Sequence, residues 1–332
     1  FIGRYPDAQS WRIWIIFALI AALSGLTWGI VARNTPKLFS RNVLIGAGVA
    51  AVVAALMPTL IPLRILLIGI IAAVLACAWG GRMLGRAVPK AGQWISAAWG
   101  LSFFIVIWLL MGGLGLRTVS TNDWGGLMLT LFMAVISIAL CFPIGVLLAV
   151  GRQSSLPVVR WFSILYIEVI RGVPLISLLF MGQVMIPLFL PEGARPDRIL
   201  RAIVGLTMFS AAYLAENVRG GLQSLPKGQG EAASALGLNK PLSLGLIILP
   251  QALKVSIPAI VGQFISLFQD TTLLSIVGLL ELLGISRAVL SNPQFLGRYT
   301  EVYLFIGVIY WVFCYFMSWG SRRLEQQLNQ TH

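Results

Sequence analysis

The chain has 332 residues, of which 58% are hydrophobic and only 11% charged, and its formal net charge is +13. Soluble domains carry roughly 25% charged residues, so this composition excludes an ordinary water-soluble fold. The Lys and Arg excess sits in short loops between apolar runs, which is the positive-inside pattern of a membrane protein and not a nucleic-acid surface.

Apolar runs of about 17–25 residues, enough to cross ~30 Å of hydrocarbon, recur along the chain. Spans are expected over residues 13–31, 43–57, 65–79 and 95–114, with basic loops carrying Arg33, Lys37 and Arg41, then Arg82, Arg86 and Lys90. Pro58 and Pro62 mark a turn between the second and third. A fifth span covers 125–150 with Pro143 inside it, and a sixth covers 162–188, interrupted at Arg171-Gly172-Val173-Pro174. A seventh covers 199–218, an eighth 246–268, and the last 302–319. Residues 269–285 are apolar but broken by Asp270, Gly278, Glu281 and Gly284, which predicts a broken or re-entrant segment. Charge bias puts the loops at 33–41, 82–90, 152–160 and 227–240 in the cytoplasm, together with Arg322 and Arg323 of the tail. About nine spans would place Phe1 outside, next to Arg4 and Arg12, so a further span with a cytoplasmic start is expected before Phe1.

The sequence is poor in catalytic groups. It has no Gly-rich nucleotide loop, its only histidine is His332, and Cys77, Cys141 and Cys314 lie singly in apolar runs without metal-ligand spacing. Acid–base or metal chemistry needs several convergent polar groups. Transport is therefore the leading class, with no cofactor bound by this chain and no enzymatic activity of its own.

One polar stretch stands out between two spans, Glu231-Ala232-Ala233-Ser234-Ala235-Leu236-Gly237. Gly220 and Gly221 end the preceding helix, Pro226 and Lys227 begin a turn, and Gly237, Asn239 and Pro241 stop the short helix. Ala232, Ala233 and Ala235 leave a narrow surface that another protein can approach closely. Taken alone, the segment also fits an ordinary surface helix of small residues.

The whole frame, Glu231-Ala232-Ala233, then Gly237, Ile247 and Leu249-Pro250, resembles the EAA motif. That motif belongs to the membrane subunits of bacterial binding-protein-dependent ABC importers. The resemblance implies an all-α polytopic protein with the type I ABC importer transmembrane fold and extra N-terminal helices. It makes the short helix a coupling helix, with Glu231, Ala232, Ala233 and Gly237 gripping an ATPase subunit. The implied domains are an N-terminal extension of about four helices over 1–120, a core permease domain over 121–328, and a coupling loop over 222–241.

Four further runs, 166–180, 209–238, 247–254 and 268–278, are similar to polar amino-acid permeases. The N-terminal extension and the loop PLFLPEG resemble the general L-amino-acid permease subunit M and its glutamate/glutamine/aspartate/asparagine relatives. Such a chain is implied to be half of a heterodimeric pore in a bacterial inner membrane. Its implied partners are a second homologous permease subunit, a dimer of cytoplasmic ATPase subunits that hold ATP and Mg2+, and a periplasmic amino-acid-binding protein. L-amino acids are the implied substrate. Gln269 departs from the family pattern, which usually has Lys before Asp270.

Polar residues inside the spans suggest a substrate path, since such groups usually face a bundle interior or cavity. Glu216, three residues before Arg219, is either one half of an interfacial ion pair or a group that attracts a substrate amino group or gates the inner mouth. Glu168 and Arg171 carry the same ambiguity. Asp270 with Thr271 and Thr272 either caps a new helix or lines the path. Gln263 and Ser266 complete the candidate set. The alternatives are a narrower importer of glutamate, glutamine, aspartate and asparagine, an ion-coupled carrier, or a scaffold that only holds an ATPase at the membrane.

Overall fold

A computed structural model describes residues 3–34, 38–56, 61–88, 90–226 and 228–329. Lys37, Pro58, Lys227 and His332 lie outside the described residues. The chain divides into two compact units, Tyr5–Ser120, and Phe1–Arg4 together with Thr121–His332.

The unit Tyr5–Ser120 contains α1 (Trp11–Val31), α2 (Arg41–Leu56), α3 (Ile61–Ala87) and α4 (Ala91–Met111). Away from the arginines near their ends, these helices are apolar on every side, as suits a lipid solvent. α1 and α3 touch backbone to backbone. A Cβ added to Gly29 would lie 2.0 Å from the carbonyl oxygen of Ala78, and one on Gly25 would lie 2.4 Å from that of Val74. Two glycines four apart on one helix face permit this approach, and dispersion between the backbones then holds the pair. Trp99 adds a hydrogen bond from α4, its indole N–H donating to Thr27 Oγ1 at 3.1 Å.

The second unit begins with α5 (Gly126–Arg152) and α6 (Pro157–Gly172). Next come α7 (Leu175–Phe180), a π-helical turn over Met181–Met185, and α8 (Ile186–Phe189). α6 and the helices after it meet at 101°. The break has a local cause: Pro174 disfavours helical backbone at Val173, which is extended at φ −110°, ψ 134°. α9 (Arg198–Ser224) starts where the Asp197 carboxylate accepts from the Ile199 N–H at 2.8 Å.

Two short helices follow, α10 (Gly228–Ala235) and α11 (Lys240–Ser243). α12 (Leu249–Asp270) enters through a π-helical turn over Leu244–Ile248 and ends in a 3-10 turn, Thr271–Ser275. α13 (Leu282–Leu290) and α14 (Tyr299–Asn329) complete the unit. Its core is a seam of small and apolar residues where α5, α9 and α12 meet, including Cys141, Ala149, Ala211, Leu214, Ala215 and Ala252, all fully buried.

Among the described residues, seven helices are long and apolar enough to cross a bilayer, and the bent pair of α6 with α7–α8 makes an eighth. Nine spans would also need α2, whose apolar stretch, Val43–Leu56, is shorter. The broken segment expected after residue 269 takes the form of the 3-10 turn, a left-handed Gly278 (φ +81°) and the start of α13.

Candidate functional site

α10 is eight residues long and lies between the two long helices α9 and α12. It ends in a Schellman motif. The Leu238 N–H donates to the Ala233 carbonyl at 3.1 Å, the Gly237 N–H donates to Ser234 at 3.0 Å, and Gly237 has φ +77°. Nothing lies within 4 Å of a Cβ built on Gly237, so the glycine answers a backbone requirement and not a steric one. Asn239 then caps α11, its side-chain oxygen accepting from the Leu242 N–H at 3.1 Å. Ala233 is buried, whereas Glu231, Ala232 and Gly237 are exposed. The helix therefore rests on Ala233 and leaves the Glu231–Ala232 surface open.

A second constellation gathers where α5, α6 and α9 meet. Arg152 of α5 places Nη1 2.8 Å from Glu216 Oε1 and 2.9 Å from Glu168 Oε1. Arg219 reaches Glu216 Oε2 at 2.8 Å, and Arg171 lies 3.6 Å from the same oxygen. The Arg171 guanidinium also sits over the Tyr213 ring, 5.3 Å from its centroid. Three guanidinium groups thus converge on one carboxylate that is only 15% exposed. Of the two i,i+3 pairs in the sequence, Glu216–Arg219 forms as spaced, whereas the other is sorted differently in space: Glu168 goes to Arg152, and Arg171 goes to Glu216.

The remaining predicted path residues lie on or just beyond α12. Gln263, Ser266 and Asp270 follow at helical spacing; Ser266 is exposed, and Gln263 and Asp270 are half-buried. Thr271 is fully buried, and its hydroxyl donates to the Phe268 carbonyl at 2.6 Å. Thr272 closes onto the Gln269 carbonyl at 2.8 Å. Gln269 turns towards α14, its amide donating to Cys314 Sγ at 3.6 Å. Asp270 makes no side-chain cap to the turn that follows it.

The capping carboxylate of this region is Glu281, which sequence reasoning treated only as a break. It is fully buried, accepts from the N–H groups of Leu283 (2.8 Å) and Gly284 (2.7 Å), and receives the Tyr310 hydroxyl at 3.3 Å. The same loop is tied to α5, because the Gly126 N–H donates to the Leu280 carbonyl at 2.8 Å and the Leu282 N–H donates to Thr130 Oγ1 at 3.0 Å. Across the loop, Arg198 donates to the Gly278 carbonyl at 2.8 Å. Glu is not among the residues usually favoured at a helix N-cap, so the local sequence carried no strong signal for this role.

Residues 141–330, which include α10, the arginine-ringed Glu216 and the whole of α12, match the model of the binding-protein-dependent transport system inner membrane component family. The chain belongs to that family. It is 47% identical over 266 residues to the inner membrane amino-acid ABC transporter permease protein YhdY of Escherichia coli (strain K12), covering 80% of this chain and 70% of that one. It is 40% identical to the glutamate/glutamine/aspartate/asparagine transport system permease protein BztC of Rhodobacter capsulatus, covering 99% of this chain and 76% of its relative. Among solved structures, an amino acid ABC transporter crystallised with histidines superposes with a TM-score of 0.55 at 29% identity, over 61% of this chain and 92% of that one.

As a binding-protein-dependent transport component, the chain is an all-α, multi-pass permease subunit of a bacterial inner membrane, with a transport role and not a catalytic one. Among the described residues, no group of three or more His, Cys, Asp or Glu could hold a metal ion. The family match starts inside α5, so the unit Tyr5–Ser120 lies outside it, although the match to BztC runs almost the full length of the chain.

Proposed function

We propose that this chain is half of a heterodimeric pore in an ATP-driven, binding-protein-dependent importer of L-amino acids. A second homologous permease subunit forms the other half. A dimer of ATPase subunits, holding ATP and Mg2+, docks from the cytoplasm, and a periplasmic binding protein delivers the amino acid.

The observation that carries this reading is α10: a short, capped, partly open helix between two long spans, on the side of the basic loops. An isolated eight-residue helix is marginal by itself. Anchored through Ala233 and locked by Gly237, it can act as a rigid lever, with Glu231 and Ala232 facing the ATPase. Movement at that contact reaches the pore through the direct chain connections of α10 to α9 and, through α11, to α12. Coupling of this kind requires each site to favour one of two states differentially.

The polar face of α12, with Gln263, Ser266 and Asp270, and Thr272 just beyond it, is the proposed wall of the substrate path. Thr271 supports that wall from within through its bond to Phe268. Glu216 already faces three arginines, which favours a role in holding the inner ends of α5, α6 and α9 over direct capture of a substrate amino group. The 40% identity to BztC, whose name specifies four amino acids, favours a second reading with that narrower specificity.

Substrate-stimulated ATP hydrolysis by the complete reconstituted complex tests both. Stimulation across many of the twenty L-amino acids supports the general importer. Stimulation by glutamate, glutamine, aspartate and asparagine alone selects the narrower one, and stimulation by none refutes both.

A further inference from the structure

The function proposed above assigns no role to the unit Tyr5–Ser120, whose charge is one-sided. Between Ala8 and Ser120 the sequence has no Asp or Glu. Three of its cations gather at one end of a groove between α1, α3 and α4. The groove, of about 320 Å³, is lined by Leu26, Ile30, Leu84, Val88, Trp94 and Ile95, among other apolar side chains. Lys90 stands immediately before the groove residue Ala91, at the start of α4. Arg33 lies one helical turn beyond the groove residue Ile30. Arg86 is tied to that point, its Nε donating to the Arg33 carbonyl at 3.2 Å. Arg86 and Lys90 are both exposed, and Trp94, beside Lys90, is 71% exposed.

A groove of about 380 Å³ between α13 and α14 has a different rim. There Arg298 has its own counter-charge in Glu301 at 3.9 Å. No carboxylate lines the α1–α3–α4 groove, and its own unit has none between Ala8 and Ser120, which leaves the exposed Arg86 and Lys90 suited to an anion from outside the unit. By the positive-inside rule, this end lies at the cytoplasmic headgroup layer. An apolar slot that opens onto cations and an indole at that depth matches one molecule at both ends.

We propose that the α1–α3–α4 groove binds an anionic phospholipid, with an acyl chain along Leu26, Ile30, Leu84 and Val88 and its phosphate at Arg86 and Lys90. Trp94 sits at the glycerol level, where an amphipathic ring is favoured. The extension thereby acts as a lipid-recognising unit attached to the permease core.

The test uses the full complex in nanodiscs containing phosphatidylglycerol or phosphatidylcholine, each with a photoactivatable group on one acyl chain. Crosslinked peptides are mapped by mass spectrometry. Phosphatidylglycerol is expected to label the α1, α3 and α4 peptides lining the groove on the order of tenfold more than phosphatidylcholine. Arg86→Gln with Lys90→Gln should bring labelling down to the phosphatidylcholine level. Val88→Trp, which fills the groove and keeps the charge, should lower both. Equal labelling by the two lipids in the unmodified complex overturns the proposal, and that comparison requires no variant to fold. So does labelling that inorganic phosphate competes away, which would mean a free-anion site. A photocrosslinker replacing Trp94 that captures the partner permease subunit instead of lipid would also overturn it.

Discussion

Arg152 and Glu216 stand 64 positions apart in the chain and meet at 2.8 Å, joining the C-terminal parts of α5 and α9. Glu216 is the hub of this contact, since Arg171 and Arg219 share its other oxygen. Glu216→Gln leaves three guanidinium groups facing one another around a neutral amide. Removing one partner of a largely buried pair is costly, and partial solvent exposure reduces that cost, so a loss of about 2 kcal/mol is expected. Glu168→Gln, at a 56% exposed side chain, should cost under about 1 kcal/mol. Thermal unfolding of the detergent-solubilised protein measures both, and equal shifts for the two variants would contradict the hub.

Gly237 lies at φ +77° with open space around it. Gly237→Ala should therefore cost roughly 1–2 kcal/mol through backbone strain alone, and Gly237→Asn should cost less because Asn tolerates this conformation. Both variants should insert normally, and substrate-stimulated ATP hydrolysis should fall more for Ala than for Asn. An order of effects that followed side-chain size, with Asn worse than Ala, would point to a steric contact with the ATPase instead.

α9 and α12 touch at Gly221. A Cβ there would lie 2.0 Å from Ser256 Oγ and 2.6 Å from the Ala252 carbonyl oxygen. Gly221→Ala is expected to push the helices apart at a cost of roughly 1–3 kcal/mol. Adding Ser256→Ala should recover only part of the loss, because the backbone oxygen remains. Thermal midpoints of the single and double variants decide this, and full recovery would show that the hydroxyl alone was in the way.

Glu281 caps α13 from a fully buried position. Glu281→Ala removes the acceptor of the Leu283 and Gly284 N–H groups and should cost about 1–2 kcal/mol. Amide exchange at those two positions should accelerate, while exchange in the middle of α9 stays unchanged. Tyr310→Phe deletes the 3.3 Å hydroxyl contact to Glu281, together with the hydroxyl's contacts to Thr130 and Thr271, but keeps the capping carboxylate and should leave the amides protected.

Local features were legible in the sequence because their causes are local. Span lengths, the extended Val173 before Pro174 and the glycine that closes α10 follow from hydropathy, proline sterics and the left-handed backbone. The EAA frame also carried the family, since Glu231 to Gly237 and Leu249-Pro250 lie in one continuous stretch. The ion pairing was another matter: helical spacing put Glu168 with Arg171, but Arg152 took Glu168 once α5 docked on α6. Of the two roles the sequence leaves open for Asp270, the helix cap belongs to Glu281 instead, and Thr271 faces inward.

By itself, then, the sequence determined that this is a multi-pass helical permease with a short glycine-closed helix between long spans, because bilayer thickness and backbone sterics act on a few neighbouring residues at a time. Only the tertiary structure decided which charges meet, which polar groups are buried and which groove lacks a counter-charge. Those outcomes depend on how closely helices approach across glycine and alanine faces, and that distance is set by residues tens to hundreds of positions apart.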